Sequence, residues 1–103
     1  MRSWYKEEWR FTNTVLSVGR ENCAEECRLG FEQGDVFKST YECPPHFCPK
    51  AMMIAYPLMT AVRTGGDLCE LGGNTAHSIE FVCPDGVVRF RLVADKIDVA
   101  EQK

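Results

Sequence analysis

The side chains whose type and number could do chemistry in this 103-residue chain are its six thiols, Cys23, Cys27, Cys43, Cys48, Cys69 and Cys83. Thiolates bind metal ions, exchange with disulfides and attack electrophiles, whereas a buried thiol behaves as a small apolar group. Charges interrupt the first ten residues every few positions, so they hold no apolar stretch of signal-peptide length. That predicts a cytoplasmic protein. In a reducing compartment the sulfurs are expected to be free or metal-bound rather than a disulfide framework.

Cys48 has the best physical case for reactivity. It takes the N-cap position of the strongest predicted helix, immediately before Pro49, where unpaired N–H groups and the helix dipole favour a thiolate. It is the candidate nucleophile if the protein is a thiol enzyme; the competing reading is a small buried cap. Cys83 ends a predicted strand on the face of Ile79 and Phe81, and Cys27 lies in a polar loop. Strand ends and helix starts commonly meet at one edge of a layer. The expected metal ligands are therefore Cys27, Cys48 and Cys83, with zinc or an iron–sulfur centre as the cofactors that suit thiolates. A fourth position would fall to Cys23, Cys43, Cys69, His46 or an exogenous group.

The spacings bound this reading. Cys23-x3-Cys27 and Cys43-x4-Cys48 are looser than paired zinc knuckles, and no Cys-x-x-Cys argues for a thioredoxin-like oxidoreductase. His46 and His77 could each serve a thiol as base, but no orienting residue is identifiable, so an exposed or hydrogen-bonded histidine is the better expectation. Gly65-Gly66 and Gly72-Gly73 flank Asp67 to Leu71 without the Lys-Ser/Thr of a phosphate loop. This segment reads as a flexible surface excursion, which makes Cys69 the least compelling ligand.

Elements that must position these groups follow from periodicity. Arg10 to Val18, Asp35 to Ser39, Ser78 to Cys83 and Val87 to Val93 read as strands, the last two joined by turn residues Cys83-Pro84-Asp85-Gly86. Cys43 to Pro49 reads as a rigid turn around two adjacent prolines. Apolar residues at 51, 54, 55, 58, 59 and 62 form a helical stripe, started by Pro49, stopped by Gly65-Gly66 and kinked by Pro57. The opposite face carries Met52, Met53, Tyr56 and Ala61, which predicts a helix buried all round, with its outer face covered by the N-terminal arm or a second subunit. The expected class is α+β, a small antiparallel sheet packed on one central, Pro-kinked helix. The expected organisation is an aromatic arm over 1–9, one domain over 10–94 and a polar tail over 95–103.

Composition excludes some functions. A net charge of −3 with no basic run argues against nucleic acid, and the longest apolar run, Ala51 to Ala61, is far below membrane-spanning length.

One ordered set of motifs, Cys27-x2-Gly30-x3-Gly34-Asp35-x-Phe37, Cys48-Pro49-x-Ala51 with Tyr56-Pro57 and Gly65-Gly66, then Cys83-Pro84-Asp85, resembles a family of short cysteine-containing prokaryotic proteins. The resemblance covers roughly Thr14 to Val93. It implies that Cys27, Cys48 and Cys83 match the family pattern while Cys23, Cys43 and Cys69 fall outside it, and it implies no particular activity. The chain departs from the pattern between Gly66 and Ser78, and it has Phe31 where the pattern places a histidine. Two functions are expected: a cytoplasmic thiolate metal-binding or redox module built on three converging cysteines, or a non-catalytic binding or assembly module, a homo-oligomer or protein partner, with buried structural cysteines.

Overall fold

The computed structural model describes residues 7–19, 27 and 29–97. Its order is β1 (Trp9–Val18), β2 (Val36–Ser39), α1 (Pro49–Arg63), a 3₁₀ turn (Leu68–Leu71), β3 (Ser78–Val82) and β4 (Val88–Lys96). The four strands form one antiparallel sheet in the order β2-β1-β4-β3, against which α1 packs, so the protein is α+β.

Alternation builds the layer. Phe11 and Val15 of β1, Ile79 and Phe81 of β3, and Val88, Phe90, Leu92 and Ala94 of β4 are all buried, while Arg89 and Arg91 between them are exposed. From the helix, Ala51, Ala55, Met59 and Val62 are buried, one stripe at helical spacing. Small residues at 51 and 55 let the first turns of α1 come close to the sheet. The hairpin turn is closed by Gly86 N–H to the Cys83 carbonyl (2.8 Å), with Gly86 at φ +74° as a turn of this kind requires.

Three expectations meet a different structure. Within one copy and among the described residues α1 is not covered all round: Met53 is 73% exposed, and Tyr56 and Pro57 lie on the same open side. Of the arm expected to cover that side, Trp4 and Tyr5 lie outside the described residues, and Trp9 instead starts β1, with its ring 4.7 Å from that of His77. β4 continues to Lys96 because Trp9 and Arg10 supply partners for Lys96 and Asp95, and Ile97 is buried with its N–H donating to the Glu8 carbonyl (2.8 Å).

The third difference is the glycine-flanked segment, which is pinned rather than flexible. Leu68 is fully buried in the core, the Asp67 side chain accepts the Cys69 N–H (2.8 Å), and the Leu68 N–H donates to the Ala76 carbonyl (2.9 Å). Gly73 donates to the Leu68 carbonyl (2.8 Å), and a Cβ there would stand 2.5 Å from the Ser78 carbonyl oxygen. One leucine between two pairs of glycines anchors the whole excursion.

Polar groups interrupt the interior at one place. Asn13 is fully buried in β1 between Phe37 of β2 and Leu92 of β4, and among the described residues neither atom of its amide has a hydrogen-bond partner. Ser39, opposite Phe11 on the same side, and Thr60 on α1 also carry buried hydroxyls without partners among the described residues. Nearby, Arg63 donates to the Thr40 carbonyl (2.6 Å), pairs with Glu7 (3.4 Å) and lies over the rings of Phe11, Tyr41 and Tyr56.

Candidate functional site

The described thiols fall at two ends of the layer. α1 starts at one end with Cys48, whose extended backbone precedes Pro49 and whose side chain makes no capping hydrogen bond. The Lys50–Asp85 ion pair (3.0 Å) ties this first turn to the β3–β4 turn, which carries Cys83. Cys27 lies in a turn closed by Gly30 N–H to its carbonyl (2.9 Å), and it leads into Phe31, whose ring neighbours those of Phe37 and Phe47. The first turn of α1 and the turn bearing Cys83 are thus joined by an ion pair, while Phe31, after Cys27, packs near Phe47. Cys69 and His77 lie on the segment that meets the other end, and Cys23 lies outside the described residues.

The environments of these sulfurs differ. Cys83 is buried, and its Sγ accepts the Val88 N–H at 3.4 Å, the place of a small structural group. Cys27 and Cys48 are half-buried and pack on the core, and Cys43 and Cys69 are exposed. Among the described residues no three His, Cys, Asp or Glu side chains gather closely enough to hold a metal ion. Burial pushes the Cys43 thiol up, and the charge of Cys48 adds to the shift. Desolvation likewise raises Cys69, helped by the carboxylate of Asp67.

Beside the thiol end lies a feature that the cysteine pattern does not reveal. Leu29, Gly30, Phe31, Asp35, Val36, Phe37, His46, Phe47 and Pro49 line an open cleft of about 530 Å³. Its floor is a cluster of phenyl rings: Phe31–Phe37 at 4.8 Å, Phe37–Phe47 at 5.0 Å and Phe47–Phe90 at 5.3 Å between centroids. Such tilted and edge-to-face pairs hold one another in place. Its rim carries Val36, half exposed on the outer strand of the sheet, and exposed His46. Asp35 is a rim residue with a structural duty, since its carboxylate accepts the Glu32 N–H (2.8 Å).

The local sequence explains the rim. Pro44 to Phe47 is a β-turn closed by Phe47 N–H to the Pro44 carbonyl (3.1 Å), with Pro45 and His46 at its corners. His46 has φ +65°, the left-handed value that the third position of a type II turn needs and that histidine adopts at some cost. The turn swings Phe47 inward, 5% exposed, and leaves the imidazole outside. The signal for this site was present as Phe31, Phe37 and Phe47, but their spacing of six and ten residues follows no single-element period.

No protein-family model, curated protein or solved structure matches the chain. Among the described residues no helix is long and apolar enough to cross a membrane.

Proposed function

We propose that this protein is a cytoplasmic binding module that takes a small molecule with a ring-sized apolar body into the cleft floored by Phe31, Phe37 and Phe47. The observation that carries this reading is the convergence of the three rings on an open space of about 530 Å³, within the range of small-molecule sites. The rings supply apolar and stacking surface, and the His46 imidazole at the rim can hydrogen-bond a polar substituent. Cys83, with its sulfur taken by the Val88 N–H, fits the structural role expected of thiols in such a module.

Fluorescence of 1-anilinonaphthalene-8-sulfonate tests the reading, with near-UV circular dichroism to establish native packing. Wild type enhances the dye's emission at stoichiometric ratio. Val36→Glu places a charge at a half-exposed lining position and is expected to weaken binding by about tenfold or more while leaving the fold intact. Equal binding by wild type and V36E overturns the assignment.

A second reading for Cys27, Cys48 and Cys83 has one observation in its favour: the Lys50–Asp85 ion pair joins the start of α1, which carries Cys48, to the turn that carries Cys83, and Cys27 packs on the same core. Ligation of zinc or an iron–sulfur centre by these thiolates would require their side chains to turn toward a common point. Elemental analysis and an absorption spectrum of protein prepared without oxygen decide it. Stoichiometric metal lost on substituting Cys48 supports that reading, and a folded protein without metal dismisses it.

Association with a second copy would use the open side of α1, where Met53 stands beside Tyr56 and the Tyr41 ring. Light scattering across a concentration series detects it.

A further inference from the structure

Cys43 and Cys48 flank the turn Pro44 to Phe47, one on each side of the Phe47 N–H to Pro44 carbonyl bond. A β-turn holds its first and fourth Cα atoms within about 7 Å, and the residues just outside it leave in opposite directions close together. A disulfide needs Cα atoms about 4.4–6.8 Å apart, a span that the bend between Cys43 and Cys48 shortens the chain toward. The two sulfurs are close enough for the charge of Cys48 to act on Cys43. Access fits as well: Cys43 is exposed and Cys48 is half-buried behind it, without a hydrogen bond that its sulfur would have to give up as a helix cap. Pro44, Pro45 and Pro49 restrict the chain around the pair, so the reduced loop is already bent.

We propose that Cys43 and Cys48 are a redox-active dithiol that closes reversibly into a disulfide across this turn. The oxidant is a low-molecular-weight disulfide. The Cys43 thiolate attacks one sulfur of that disulfide, forming a mixed disulfide and expelling one small thiolate. Cys48, giving up its proton to solvent, then attacks the Cys43 sulfur of the mixed disulfide. The Cys43–Cys48 bond forms and the second small thiolate leaves, so that two protein thiols are oxidised and one disulfide is reduced to two thiols. Closure fixes both ends of the turn that carries His46 and Phe47.

The full-length protein is equilibrated with oxidised and reduced glutathione at set ratios, quenched in acid, alkylated and digested with trypsin. Cleavage after Lys38 and Lys50 releases Ser39 to Lys50, a peptide that contains Cys43 and Cys48 and no other cysteine. The expected result is that this peptide loses two hydrogens and resists alkylation, and that reduction restores both alkylation sites. Cys43 is exposed, so Cys43→Ser keeps the fold; it should lose the two-hydrogen product and accumulate glutathione on Cys48. Cys48→Ala should likewise retain glutathione on Cys43. The proposal is overturned if wild type carries separate glutathione adducts at both positions, or if both thiols stay alkylatable at every ratio. A disulfide that joins Cys43 or Cys48 to another cysteine, within the chain or between chains, overturns it equally.

Discussion

Replacing Asn13 by leucine should make this protein more stable. The amide is fully buried in β1, an inner strand of the sheet, flanked by Phe37 and Leu92, and among the described residues neither its nitrogen nor its oxygen has a partner. A buried polar group left unsatisfied costs about 1–3 kcal/mol, because water is lost and nothing replaces it. Leucine has the same branching at Cγ, carries no polar atom, and gains from contact with the phenyl and leucyl neighbours. The expected stabilisation is about 2 kcal/mol, which for a domain of this size raises Tm by about 10 °C. Urea denaturation followed by circular dichroism measures it, with an unchanged slope showing that the same surface is exposed. A loss of about 1 kcal/mol or more in Asn13→Leu would refute the reasoning. The amide would then be partnered in the folded protein, by water or by a group outside the described residues.

Arg63→Ala should cost about 2–4 kcal/mol, since it removes a charged donor from the Thr40 carbonyl and a guanidinium from three ring faces; Arg63→Lys should recover little of this for want of a planar group, and thermal melts will rank the pair. Gly73→Ala should destabilise by about 2–3 kcal/mol in urea denaturation, because its Cβ meets the backbone carbonyls of Ser78 and Leu68; wild-type stability in that variant would show that the 3₁₀ turn is not pinned as described. Stability should also fall on the alkaline side. The thiols of Cys43 and Cys69 and the Tyr41 phenol, hydrogen-bonded with Tyr56, all have pKa values raised in the folded state, so the folded protein opposes their ionisation. Their stabilisation is complete below the ordinary thiol range, about pH 8.5, and is lost as pH rises through it. Urea midpoints that climb between pH 8 and 10 would contradict the sign.

The layer was legible in the chain because alternation and helical spacing are local signals. Ile79, Phe81, Phe90 and Leu92 point where their period places them, and Ala51, Ala55, Met59 and Val62 form the stripe that faces the sheet. The hairpin turn followed from Pro84, Asp85 and Gly86. The limit lay in features that depend on what packs against what. A nearly all-apolar helix suggested complete burial, yet in one copy Met53 is exposed, because among the described residues the sheet covers one face and the Tyr41 ring reaches only Tyr56 on the other. Leu68 looked like part of a polar loop, since one leucine between glycines has no period, but its burial decides the shape of the whole segment. For the site, the sequence placed Cys48 at the start of α1 and Cys83 at the β3–β4 turn, two segments that the Lys50–Asp85 pair joins. It could not show the aromatic cleft, whose phenylalanines come from a loop, a strand and a turn and meet only in three dimensions.

The central claim is that the cleft between Phe31, Phe37 and Phe47 binds a ring-bearing small molecule. A ¹⁵N–¹H correlation spectrum, recorded while 2-naphthol is titrated into uniformly labelled protein, tests it residue by residue. Saturable shifts confined to the amides of residues 29–37 and 46–50 are the predicted result, with Val36→Glu removing them. Unperturbed amides in those segments at about 1 mM probe, or shifts confined to the opposite end around Trp9 and His77, would contradict it.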